Sequence, residues 1–182
     1  MKPGYQSSQD YLSALAASGA SDRWLGVLMF LCGSLALGAT SVVVRGLVEN
    51  SRAPAVAMAV AAGCVLVAGA LPVSCPEGSA GCDAAPTLVE QAVVTGRLHS
   101  WAVVAYQVSF TVALLLLARA ARTSGRRALV GLTVAGAVLT PLLAVVPVLP
   151  GPGDAQRLWV LSGHLVLLAL AWWPPRYGPG HG

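Results

Sequence analysis

Charge is scarce in this chain, and its absence is regional. Only 10% of the 182 residues are Asp, Glu, Lys or Arg, against about 25% in soluble domains. Five stretches hold none: Trp24–Val44, Ala53–Ser74, Leu98–Ala118, Ala128–Pro150 and Leu158–Trp173. With 56% hydrophobic residues and a mean hydropathy of +0.72, so short a chain has more apolar surface than a water-soluble core absorbs. The runs also lack period-2 alternation, which excludes a barrel reading. Backbone groups in lipid must pair internally, so helices remain. About 20 residues at ~1.5 Å each cross a ~30 Å hydrocarbon core. Four runs reach that length, and the last has 16 residues and ends in Trp172-Trp173.

The fold expected is all-α and integral to a membrane: a five-helix transmembrane bundle with a short N-terminal interfacial helix. Residues 1–22 form an external segment, 23–174 the bundle, and 175–182 a disordered cytoplasmic tail. The first 22 residues lack the basic and apolar regions of a signal peptide. Instead Tyr11, Leu12 and Leu15 share one helical face, suited to the interface.

The loops alternate in charge. One side carries Arg45, Arg52, Arg119, Arg122, Arg126, Arg127 and Arg176 against Glu49 alone. The other carries Lys2, Arg23, Arg97 and Arg157 against Asp10, Asp22, Glu77, Asp83, Glu90 and Asp154. Arginine-rich short loops stay in the cytoplasm. The N-terminus is therefore expected outside and the C-terminus inside. The net charge of +4 follows from this pattern and is no nucleic-acid signal.

Cys32 and Cys64 lie in apolar runs, where a free thiol behaves as a small hydrophobe. Cys75 and Cys82 fall in the external loop, where an oxidising exterior favours a disulfide. No His lies near enough to make them a zinc knuckle. Pro141 and Pro147 predict a kink or broken turn in the fourth helix. The glycines suit close helix packing in lipid.

Polar groups in the membrane are few, so each is informative. His99 opens the third helix, and His164 lies in the fifth, expected to point into the bundle. Asp10 and Ser13 are on the same side and could fold over the bundle mouth. Three uses compete. The histidines could simply donate to carbonyls or hydroxyls. Ser13 could act as nucleophile, with a His as base and Asp10 orienting it, although no GxSxG-like frame is present. The two histidines could hold a metal or haem. Tyr106, Gln107, Ser109 and Thr111 add modest polarity to the third helix. No cofactor is expected.

Two segments carry a resemblance. Pro3-Gly4-Tyr5, Asp10-Tyr11 and Ser13-Ala14-Leu15-Ala16 form one. Gly96-Arg97-Leu98-His99-Ser100-Trp101-Ala102 forms the other, with Pro72 and Asp83 in the loop before it. Together they resemble the bacterial membrane proteins of domain-of-unknown-function family 998. The resemblance implies a multi-pass protein of the bacterial inner membrane and carries no activity. Family members usually have six helices, and this chain starts at the segment after the first. A lipid or a protein partner filling that gap is then expected, as is membership of a larger membrane assembly. The alternative is an intramembrane hydrolase or transferase acting on a lipid-like substrate at the outer leaflet.

Overall fold

The computed structural model describes residues 23–71, 86–145 and 152–174. Five helices hold them: α1 (Arg23–Leu47), α2 (Arg52–Ala70), α3 (Pro86–Thr123), α4 (Arg127–Val145) and α5 (Pro152–Ala171). No strand occurs among the described residues. Four segments are long and apolar enough to cross a membrane: Arg23–Leu47, Arg52–Ala70, Val94–Thr123 and Arg127–Ala144. The fifth helix falls short of that standard for a local reason. Its first turns carry Asp154, Gln156 and Arg157, and Asp154 pairs with Arg157 one turn on at 3.9 Å. The N-terminal interfacial helix lies outside the described residues, as do Cys75 and Cys82. Among the described residues there is no disulfide, and Cys32 and Cys64 are free.

Each helix packs on the next in sequence, and α5 closes the ring against α1 along its slightest seam. The two described turns explain the tight pairing of α1 with α2 and of α3 with α4. After α1, Asn50 takes a left-handed φ of 58°. Ser51 turns its hydroxyl back to the Arg45 carbonyl at 2.9 Å, satisfying an acceptor the helix end would leave open. After α3, Gly125 has φ +71°. The Arg126 N–H reaches the Ala121 carbonyl at 2.9 Å and the Gly125 N–H the Arg122 carbonyl at 3.1 Å. Those are the two bonds of a Schellman cap.

The ring is filled unevenly. At the end bearing these turns it is solid. Val44 and Leu47 of α1, Met58 of α2, Leu114 and Leu117 of α3, Leu129 of α4 and Leu170 of α5 are all fully or almost fully buried. Arg45, Arg52, Arg119, Arg122, Arg126 and Arg127 gather around that end. Outside, the bundle is apolar: Leu35, Val42, Val108 and Leu168 are among many large side chains left exposed. A bundle greasy on its outer surface is a membrane bundle. Trp24 and Trp101 near one end and Trp172 at the other are also exposed, at the depths where indoles settle at lipid headgroups.

α4 stays continuous through Pro141, so no broken turn occurs there; Pro147 lies outside the described residues. Pro141 has no N–H for the Ala137 carbonyl. Just before it, the Thr140 hydroxyl bonds the Gly136 carbonyl at 2.9 Å and is itself fixed from α3, as described next.

Candidate functional site

The other half of the ring is hollow. Its chamber holds about 90 Å³ and is walled by α1, α2, α3 and α5. Met29, Phe30 and Gly33 come from α1, Val65 and Ala68 from α2, His99, Val103 and Tyr106 from α3, and Gln156, Trp159, Gly163 and His164 from α5. None of the lining residues is Lys, Arg, Asp or Glu.

His99 sits in the wall and is only 6% exposed. α3 begins well before it, so it is not a helix-end residue as its sequence position suggested. Its Nδ1 is 2.8 Å from the Ala68 carbonyl of α2. A carbonyl only accepts, so Nδ1 carries the proton. In the neutral ring Nε2 is then a lone pair. Nε2 has no partner among the described residues and keeps accessible surface. The Phe30 ring of α1 stands edge-on to the imidazole at 5.6 Å and 89°.

Tyr106 lies deeper. Its ring stacks on Phe110 at 5.9 Å and meets Trp159 at the same separation. Its hydroxyl makes no hydrogen bond among the described residues and keeps accessible surface. A side-chain carbon at Gly163 would come within 3.5 Å of that hydroxyl, so α3 and α5 meet there with the oxygen between them.

The wall behind is braced by an amide. Gln107 accepts from the Trp159 indole N–H at 2.7 Å. Its own amide donates to Thr140 at 3.1 Å and to Thr111 at 3.0 Å. Three helices are thereby tied at one level, with every polar atom of the amide used. Sequence reading noted Gln107 as modest polarity and missed Trp159. The clue was that a lone amide in an apolar helix must find donors and acceptors on its neighbours.

His164 differs from expectation. It is exposed rather than turned into the bundle, yet it still contributes to the chamber lining. Its Nδ1 donates to the Val160 carbonyl of its own helix at 2.8 Å. That bond removes the need for a partner from another helix, which was the reason to expect burial. The two histidines thus share one chamber, His99 in the wall and His164 on the rim. Ser13 and Asp10 lie outside the described residues. Among the described residues no three His, Cys, Asp or Glu side chains gather as a metal site.

A helical ring with an apolar exterior, four helices able to span and a neutral chamber defines an integral membrane protein. The chain belongs to the family described as protein of unknown function DUF998, whose model matches residues 1–173. No curated protein and no solved structure matches it.

Proposed function

We propose that this protein is a multi-pass membrane protein that holds one end of a lipid-like molecule in its chamber. The observation that carries the reading is the contrast within one ring: a solid half and a hollow, uncharged half. Protein interiors are normally filled to crystal-like density. An apolar cavity with a few placed polar groups is the usual form of a small-molecule site. The seam between α1 and α5 is the lightest contact in the ring, and both helices line the chamber. Lipid therefore has a sideways way in.

The size fits an end, not a whole lipid. At roughly 10–15 Å³ of such space per water-sized group, 90 Å³ takes about six to nine groups. The rest of the chain stays in the bilayer. Binding is favoured over hydrolysis because the described lining offers His99, His164, Tyr106 and Gln156 but no Ser, Cys, Asp or Glu to serve as nucleophile or to orient a base.

Orientation follows the loop arginines. The solid end faces the cytoplasm, which puts the chamber in the outer leaflet of a plasma membrane.

Lipid retention tests the reading. Protein purified in mild detergent should retain an apolar molecule near one-to-one, seen by native mass spectrometry. Val103→Phe, which fills the chamber, should lose it. Val108→Phe, on the exposed face of the same helix, should not. Equal retention by both variants would sink the reading.

A further inference from the structure

We infer that the chamber selects the hydroxyl end of an uncharged long-chain alcohol, anchored by its O–H to His99 Nε2. This rests on the reading of the chamber as a lipid site and adds the chemistry of its ligand.

Three observations lead there. First, the described lining has no charged side chain. A carboxylate or phosphate brought into it would lose its hydration with no cation among the described lining residues. The ligand is neutral. Second, the bond from His99 Nδ1 to the Ala68 carbonyl leaves Nε2 of the neutral ring with a lone pair and no donor among the described residues. An acceptor facing an apolar chamber calls for a ligand that donates, so a ketone, ester or ether does not satisfy it. Third, the Tyr106 hydroxyl has no hydrogen bond among the described residues, although its ring is packed between Phe110 and Trp159. It is a second polar atom open to the same chamber, seven residues further along α3. A ligand hydroxyl gives the O–H that His99 Nε2 needs.

The bracing behind the wall supports this division of labour. Gln107, Thr140 and the Trp159 indole satisfy one another, so the nearby polar side chains are occupied. His99 and Tyr106 differ from them in keeping a polar atom open. The chamber is also the right size for a head with a few carbons, as shown above. The tail leaves along the α1–α5 seam past the exposed His164.

The test uses a photoreactive dodecanol with a diazirine in the chain, crosslinked to the full chain in lipid nanodiscs. Labelled peptides are identified by mass spectrometry. Competitors are 1-dodecanol and 1-methoxydodecane, which differ only in the O–H. Label should map to α1 and α5 segments lining the chamber. Dodecanol should compete about tenfold better than the ether, the scale of one lost donor bond with its acceptor left bare. His99→Phe removes the acceptor, so the preference should narrow to within about threefold, whereas Tyr106→Phe keeps the ring stacking and removes a donor that alcohol and ether accept from alike, so the preference should stay near tenfold. Saturable chamber label with equal competition by alcohol and ether would overturn the alcohol assignment while leaving the lipid site standing. Label that is unsaturable, or maps only to the exposed helix faces, would overturn the lipid site itself.

Discussion

Phe30 fills the space that any side chain at position 69 would need. A Cβ on Gly69 would lie 2.5 Å from the Phe30 Cβ and 3.0 Å from its Cγ. A rotamer change cannot relieve this, because a Cβ does not move with χ1. α1 and α2 would have to part. Gly69→Ala should therefore destabilise the protein by about 1–3 kcal/mol, the range for overpacking, seen as a lower unfolding temperature in detergent. Separation would also disturb the Phe30–His99 contact. A neutral effect would mean that the two helices sit farther apart.

The amide of Gln107 is the second point of strain if altered. Gln107→Leu leaves the Trp159 indole N–H without its acceptor and Thr140 without its donor. Interhelical hydrogen bonds in membranes average about 0.6 kcal/mol and reach about 1.7. The expected loss is about 1–2 kcal/mol. Trp159→Phe should then add less destabilisation in that background than in the wild type. Additive effects in the double-mutant cycle would contradict the 2.7 Å bond.

At the α3–α4 turn the backbone conformation decides. Gly125 has φ +71°, which Ala enters at about 1–2 kcal/mol of strain. Gly125→Ala should lower stability by that amount, whereas Gly125→Asn, which tolerates the left-handed region, should stay close to wild type. Thermal unfolding of the pair gives the answer, and equal values for the two variants would count against the Schellman geometry.

Sidedness has its own measurement. With the four native cysteines replaced, a cysteine at Ser124 beside the arginine cluster should resist a membrane-impermeant maleimide in intact cells and react after permeabilisation. Labelling in intact cells would invert the proposed orientation.

The helices were legible where charge is absent, because a gap of 20 uncharged residues has few uses besides crossing lipid. Their ends were less so. Arg97 looked like a boundary, yet α3 runs back to Pro86, since a charged side chain ends an apolar run without ending a helix. Pro141 predicted a kink or a broken turn, and α4 runs on through it without a broken turn. His99 and His164 were placed on one side by counting turns. Burial of His164 was not foreseen correctly, because a backbone carbonyl on its own helix is invisible as a partner in the sequence. The same blindness hid the Ala68 carbonyl behind His99 and the indole of Trp159 behind its count as an apolar residue. Which faces meet, as at Phe30 and Gly69, belongs to three dimensions alone.

The solid half of the ring has a consequence for traffic. Val44, Met58, Leu114, Leu117 and Leu170 stand across the path from the chamber to the arginine end, and none is more than 2% exposed. The chamber is therefore a cul-de-sac. Whatever enters must leave again on the side away from the arginine cluster. A protein so built can shelter a molecule or present it to another, but in this conformation it has no lane to carry one across.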